Sequence, residues 1–255
     1  MIHQHELKAN EVHAYTLEML KEHLKIKVDG YICKTDMILN VLIKASAENS
    51  SLEAACGDLE ETADSNTIRE YLNEALPIKE LREQEKQVNK VLACGTPADL
   101  VRTDIEVALD FHDEPFYGKQ AGTRQVTCAG QAKKGTTHFV RIATAYIIWR
   151  QVRLTLAVRY VLPEDETLEI LKFLLQRLKK LGFKAKVLYM DKGFASTSII
   201  QYLTAQRQPA ILACPIRGKK GRTRALGRGR SSYTTKYTFT DDTQATIAMK
   251  ASLVP

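Results

Sequence analysis

Apolar residues recur every three or four positions between residues 36 and 76, which is the spacing of amphipathic helices. The apolar stripe is interrupted twice by polar turns, so the segment predicts three short helices at 36–47, 51–61 and 65–76. Ser51 and Ser65 stand at the starts of the second and third helices, where a hydroxyl can cap the free backbone amides.

Three short helices separated by tight turns are typical of a helix-turn-helix domain. The start of the third helix carries Asn66, Thr67 and Arg69, side-chain types suited to base edges and phosphates, so we expect a DNA-binding candidate over residues 36–76. The alternative is a small bundle that only packs on the rest of the chain, because helical triplets are common in proteins. The sequence leaves both interpretations open.

A charged helical segment at 79–92 leads into a Gly-Thr-Pro break at 95–97. Breaks of this composition often separate domains. We therefore expect a helical N-terminal domain over residues 1–95 and a second domain over residues 96–255.

After the break the apolar pattern changes to that of strands. In chain order it predicts strands at 104–111, 137–149 and 151–162, a helix at 163–181, a strand at 184–190, a helix at 196–204 and a strand at 209–215. Three antiparallel strands followed by helix, strand, helix and strand is the order of the ribonuclease H-like fold. The predicted fold class is therefore α/β, with a mixed sheet flanked by helices and preceded by a small all-helical domain.

The segment 163–181 is predicted to be a strong helix. Glu164, Asp165 and Glu166 are expected in its first turn, where acidic side chains favour the helix dipole, and Gly182 just past its end. Its predicted buried stripe consists of Leu168, Leu171, Leu175, Leu178 and Leu181.

Composition places the chain among ordinary globular proteins, since 44% of its residues are hydrophobic and 26% are charged. We see no secretory signal and no apolar run long enough to span a bilayer, so we expect a cytoplasmic, nucleoid-associated protein without a membrane partner. The five cysteines are odd in number and widely spread, which indicates reduced thiols and no zinc motif.

The formal net charge of +7 favours polyanionic partners, because basic side chains release counterions from phosphates. Seven positive charges fall in one short tract without an acidic residue, at Arg217, Lys219, Lys220, Arg222, Arg224, Arg228 and Arg230. We expect this tract to contact the phosphates of double-stranded DNA without choosing a sequence. A solvated loop is the alternative.

Two aspartates stand in unusual places. Asp110 lies among the apolar residues of the first predicted strand, where a carboxylate is costly unless it is paired or binds a cation. Asp191 follows the strand at 184–190 directly, at the strand end where open α/β sheets bind ligands. A helix cap for Asp191 and an ion pair for Asp110 are the alternatives. If the two strands are neighbours, the carboxylates come together and a divalent cation can relieve their repulsion.

The segments ALDFHDEPFYG (108–118) and VLYMDKGFAS (187–196) resemble the first and second aspartate motifs of insertion-sequence transposases of family four and their haloarchaeal-type relatives. In that family the second motif usually reads Asp-Arg-Gly-Phe, so Lys192 is a departure that keeps the charge. The resemblance extends to the N-terminal helical triplet and to the stretch ILACPIRGKKGRTRAL.

The resemblance implies a DDE active site, in which two aspartates and a downstream glutamate hold two Mg²⁺ or Mn²⁺ ions for phosphoryl transfer on DNA. Asp110 would bridge the metals and Asp191 would bind one of them. His112, Asp113 and Tyr117 would support the site or contact DNA, and Lys192 would face a phosphate. The implied partners are the terminal inverted repeats of the element and, as a protein partner, the same chain or a full-length transposase.

The third carboxylate of that site has no counterpart in the sequence. No glutamate follows Glu169, and only Asp241 and Asp242 remain, in a polar turn. We expect residues 216–255 to begin a β-rich insertion within which the chain stops, ahead of the catalytic glutamate. Three readings remain: a transposase that is inactive alone, a repressor that binds the element's ends, and a metal-dependent nuclease of the same fold.

Overall fold

Helices form the first part of the chain and a mixed sheet the second, in a computed structural model that describes residues 8–101, 103–118, 125–216, 223–226, 234–240 and 246–252. The chain divides into two units, Met1–Thr96 and Pro97–Pro255. None of the described helices is both long and apolar enough to cross a membrane.

The described part of the first unit consists mainly of helices. Its helices are α1 (Ala9–His23), α2 (Thr35–Glu48), α3 (Leu52–Asp58), α4 (Ser65–Ala75) and α5 (Leu81–Cys94). Helices α2, α3 and α4 match the three predicted helices, and their apolar faces meet around buried Ile38, Leu39, Ala55 and Ile68. Helix α1 was not predicted, because none of its side chains is buried and its apolar stripe is weak.

One of the two predicted helix caps is confirmed and the other is wrong. The Ser51 hydroxyl accepts the Ala54 amide at the start of α3, as predicted. Helix α4, however, is capped by Asp64, whose carboxylate accepts the amides of Asn66 and Thr67 at 2.9 and 3.1 Å. The Thr67 hydroxyl and these amides hold the pKa of Asp64 below its usual value. A carboxylate is a good cap because it also favours the helix dipole.

The second unit is built on a six-stranded sheet. Its elements are β1 (Asp104–Pro115), β2 (Cys128–Lys133), β3 (Thr136–Trp149), β4 (Val152–Val161), α6 (Thr167–Lys180), β5 (Lys184–Met190), α7 (Thr197–Ala205), β6 (Ala210–Leu212) and the short helix α8 (Thr223–Leu226). Strands β7 (Thr234–Thr240) and β8 (Thr246–Ser252) form a separate antiparallel pair.

The five principal strands of the sheet lie in the order β4-β3-β1-β5-β6. The first three are antiparallel, and β5 and β6 continue parallel to β1. The short strand β2 was not predicted; it pairs with the start of β3, on the side away from β1. This order and these directions give the ribonuclease H-like fold that the sequence predicted.

The core lies between one face of the sheet and helices α6 and α7. Val107, Leu109 and Leu188 point to this side and are at most 2% exposed. The opposite face, which we call the outer face, carries Glu106, Asp110, Thr144, Tyr146, Ile148, Arg153, Tyr189 and Ile211. Two of its apolar side chains are widely exposed, Ile148 at 66% and Ile211 at 59%.

Two expectations about α6 need correction: where the helix begins and which of its side chains are buried. It begins at Thr167, so Glu164 and Asp165 precede its first turn and Glu166 is its cap residue. Asp165 instead accepts the Leu162 amide at 2.9 Å and closes the turn after β4. The fully buried side chains of α6 are Ile170, Leu171, Leu174 and Leu178. The predicted Leu168, Leu175 and Leu181 pack at the edges of that stripe, because a helix lying on a sheet buries a broad face.

Candidate metal centre

Asp110 and Asp191 lie side by side on neighbouring strands. The parallel pairing of β1 with β5 runs up to Leu109 opposite Met190, and the Asp191 amide donates to the Leu109 carbonyl at 3.4 Å. The two aspartates are the next residue on each strand, and adjacent strands lie about 4.8 Å apart. Their side chains therefore leave the sheet together on the outer face.

Neither carboxylate has a protein partner among the described residues, since no hydrogen bond or ion pair to either of them occurs there. Asp191 precedes a short 3-10 turn at Lys192–Phe194 but makes no side-chain cap to it, which removes the capping alternative. Asp110 likewise forms none of the ion pairs found in these parts of the chain. Two adjacent, half-buried carboxylates without a cation repel one another.

An aromatic stack fixes β1 to the loop that follows β5. The rings of Phe111 and Phe194 lie 4.3 Å apart at an interplanar angle of 16°. Gly193 allows this approach, because a Cβ atom there would stand 2.7 Å from Cδ2 of Phe111. Each ring belongs to the segment that carries one of the aspartates. The stack therefore joins the two segments that carry the carboxylates.

Asp113 and Arg141 form a two-pronged ion pair across β1 and β3. Nε and Nη2 of Arg141 donate to the two carboxylate oxygens at 2.6 and 2.8 Å. This pair holds the pKa of Asp113 below and that of Arg141 above their usual values. The Arg141 guanidinium also lies 6.0 Å from the centroid of the Phe111 ring. Asp113 thus holds Arg141 near the Phe111 ring, and both oxygens of its carboxylate accept hydrogen bonds from Arg141.

Of the remaining predicted residues of this site, two lie close to the aspartates in sequence and one lies beyond the end of β1. Lys192 follows Asp191 directly and is exposed. His112 projects from the same face of β1 as Asp110 and contacts Glu114. Tyr117 lies beyond the end of β1, 68% exposed, with its ring edge near the turn at Gly135. Their roles stay predictions.

The sequence did not predict the Arg153 cluster, in which Arg153 contacts Thr144 and Tyr146 on the strand next to Asp110. Arg153 donates to the Thr144 hydroxyl at 3.3 Å, and its guanidinium lies 3.8 Å from the Tyr146 ring centroid. Thr144 is the direct neighbour of Asp110 on β3. The alternating pattern places each residue on a face of its own strand, but only the strand register brings them together.

The DNA-contact candidates of the first unit lie at the start of α4 and are engaged locally. Thr67 bonds to Asp64 through its amide and its hydroxyl, and Arg69 donates to the side-chain oxygens of Ser65 and Asn66 at 3.2 and 3.1 Å. Asn66 and Arg69 are exposed. These contacts order the side chains but do not test a role in DNA binding.

Most of the basic tract lies outside the described residues. Of its members the structure describes Arg224 alone, which is exposed in α8; the others are Arg217, Lys219, Lys220, Arg222, Arg228 and Arg230. Asp241 and Asp242 also fall outside. Over the residues that are described, no group of three or more His, Cys, Asp or Glu side chains is placed to hold a metal ion.

No protein-family model matches the chain, and no curated protein matches it significantly. Among solved structures it is similar to a piggyBac transposase in a synaptic complex with hairpin DNA, at 11% identity and a TM-score of 0.44, covering 96% of this chain and 52% of that one. It is also similar to the Drosophila P element transposase in a strand transfer complex, at 8% identity and a TM-score of 0.39, covering 81% and 48%. The chain spans about half the length of each.

Proposed function

We propose that the chain is a DNA transposase of the DDE type, whose Asp110 and Asp191 bind a divalent cation for phosphoryl transfer. The observation that carries this proposal is a pair of carboxylates on adjacent strands of a ribonuclease H-like sheet, neither of which has a partner among the described residues. The two motifs that resemble insertion-sequence transposases contain these same residues. The basic tract supplies the affinity for the phosphates of the element's ends.

The donor set fits Mg²⁺ or Mn²⁺. Hard cations of this kind prefer carboxylate oxygens and keep several water molecules, so two side chains are enough to hold one ion. Such an ion, when bound, polarises a phosphodiester and makes a bound water or a DNA hydroxyl a better nucleophile.

The protein's own residues position the reacting groups. Asp110 and Asp191 face the same side of the sheet, and the Phe111–Phe194 stack joins the two segments that carry them. Lys192 stands next to Asp191, where its ammonium can neutralise a phosphate. We propose that strand transfer needs a third acidic ligand to hold a second ion, and that this chain alone binds DNA without joining strands.

Manganese binding tests the site directly. Titration of the full chain with Mn²⁺, followed by the magnetic resonance signal of the free ion, should show one bound ion. Asp110→Asn and Asp191→Asn should each weaken its binding by about tenfold or more, because a ligand is lost. Asp104→Asn is the matched control, since Asp104 lies at the other end of β1 and pairs with Lys184 at 3.8 Å. Equal affinity in all four proteins would refute the metal centre.

The same proteins then test the reaction with supercoiled plasmid in Mn²⁺. We expect the native chain to bind the plasmid and to join no strands. Nicking without joining, lost in Asp110→Asn, would favour the nuclease reading. Joining by the native chain but not by Asp110→Asn would show that the chain supplies its third ligand itself, with Asp241 and Asp242 the first residues to substitute.

A further inference from the structure

Arg153 is a cation of the outer face whose contacts leave it available to a ligand. Its guanidinium lies over the Tyr146 ring, and one nitrogen donates to the Thr144 hydroxyl. Neither partner is charged, and no carboxylate pairs with Arg153 within the described parts of the chain. A guanidinium has five N–H donors, so most of its hydrogen-bonding capacity stays free.

Other arginines of the same sheet are engaged in ion pairs. Arg141 is paired with Asp113 at 2.6 Å, and Arg159 with Asp165 at 3.6 Å. Each of these pairs ties a strand to its neighbour or to the following turn. Arg153 differs from both because a ring and a hydroxyl contact it, and no described carboxylate neutralises its charge.

The position of Arg153 is set by the hairpin of β3 and β4. Arg153 pairs with Ile148, and its side chain extends diagonally past Tyr146 to Thr144, within the reach of a long side chain. Thr144 is paired with Asp110 on the next strand. The guanidinium therefore stands over β3, one strand from Asp110 and two strands from Asp191, on the same face of the sheet.

We propose that Arg153 is a phosphate-binding residue of this site and holds a DNA phosphate next to the one that lies at Asp110 and Asp191. The inference rests on the proposed function, which brings DNA to this face. Arginine binds phosphate through two parallel hydrogen bonds, and stacking on Tyr146 orders the fork before the ligand arrives. The positive charge also offsets the repulsion between DNA and the nearby carboxylates.

The test measures binding of a fluorescent DNA duplex of arbitrary sequence to the full chain over a series of KCl concentrations. Arg153→Gln should weaken binding about threefold to tenfold and lower the salt slope by about one unit, as expected for one lost phosphate contact. Arg207→Gln is the matched control. It removes the same charge from an exposed position that precedes β6, at the end of the sheet away from the carboxylates, and should change neither quantity.

Two further variants separate charge from geometry. Arg153→Lys should keep the salt slope but lose affinity, because an ammonium lacks the two-pronged fork. Tyr146→Leu should do the same, because it removes the ring beneath the guanidinium. Circular dichroism and thermal melting establish whether each variant is folded. If Arg153→Gln does not fold, Arg153→Lys and Tyr146→Leu still test the proposal.

The proposal is wrong if Arg153→Gln binds DNA like Arg207→Gln at every salt concentration. It is also wrong if Arg153→Gln changes only the Mn²⁺ affinity, since Arg153 would then act as a counter-ion for the carboxylates. Failure of the proposed function would give a different result from failure of the Arg153 proposal. In that case the native chain, Asp110→Asn and Asp191→Asn bind Mn²⁺ alike, whatever the Arg153 variants do to DNA affinity.

Discussion

Asp113 shows how the same residue type takes different roles within one short segment. It lies three residues from Asp110 on the same strand, yet its carboxylate is bound by Arg141 while that of Asp110 has no partner among the described residues. The ion pair lowers the pKa of Asp113, and hydrogen bonds from Arg141 are the largest cause. Charged Asp113 is thus favoured in the folded chain.

The pH dependence of stability tests the role of this pair. Because the folded pKa of Asp113 is depressed, its contribution is present above the usual aspartate pKa of about 4 and is lost as pH falls through the folded value. Asp113→Asn should therefore be less stable than native by about 1 kcal/mol or less near neutral pH, allowing for solvent screening. The difference should shrink below about pH 4, as measured by urea unfolding.

Asp104→Asn provides the comparison for that experiment, because its exposed pair with Lys184 at 3.8 Å should contribute little at any pH. A destabilisation of Asp113→Asn that stays constant from neutral to acidic pH would show that the loss comes from packing and not from charge.

At the scale of elements, the aromatic stack depends on a residue without a side chain. Gly193 lies in the 3-10 turn after β5, against the ring of Phe111. This arrangement gives a physical reason for the Lys-Gly-Phe sequence that follows Asp191. The glycine lets Phe111 approach, and the phenylalanine stacks on it.

Gly193→Ala should displace the Phe111 ring, since the new Cβ atom would stand 2.7 Å from it. Overpacking of this kind costs about 1–3 kcal/mol, and we expect Mn²⁺ affinity to fall with it because the register of the two aspartates loosens. Denaturant unfolding and Mn²⁺ titration measure the two effects. Gly57→Ala in α3, where nothing lies within 4 Å, should be neutral or slightly stabilising. Equal behaviour of the two variants would contradict the role of the stack.

Elements with a strong pattern of their own could be predicted from the sequence. Strand β5 has the bounds that its apolar run gave, Lys184–Met190, and Asp191 follows it as expected. Strand β2 could not be predicted, because the sequence CAGQAK has no alternation of apolar and polar residues and the strand forms only through its pairing with β3.

The Arg153 cluster could not be predicted for a related reason. Its residues meet through the register of β3 and β4, which the turn at Arg150 and Gln151, both with positive φ, fixes.

At the scale of the whole molecule, charge is divided unequally between the two units. Residues 1–96 contain 11 basic and 17 acidic residues, a net charge of −6, so the remaining residues carry +13. The segment 52–75, which holds α3 and α4, has seven acidic residues and one basic residue, Arg69. An acidic surface repels phosphates, which favours the interpretation of the first unit as a bundle without DNA contacts.

Salt dependence of DNA binding by the full chain tests this division. Neutralising Arg217, Arg222 and Arg228 together should lower the salt slope by about three units or slightly less, equally for all duplex sequences. Arg69→Gln should leave the slope unchanged. A fall in the slope for Arg69→Gln, or an effect of the triple variant on one duplex sequence only, would restore the helix-turn-helix interpretation.

The pairing of β1 with β5 also has a consequence for how the chain folds. The hairpin of β3 and β4 closes through two residues, whereas Asp110 and Asp191 are 81 positions apart and meet only when a long loop has closed. Local pairings form quickly, and distant ones wait until the entropy of loop closure is offset by other contacts. We therefore expect the two carboxylates to come together late in folding, so that a chain in which β5 has not yet docked on β1 lacks the proposed metal site.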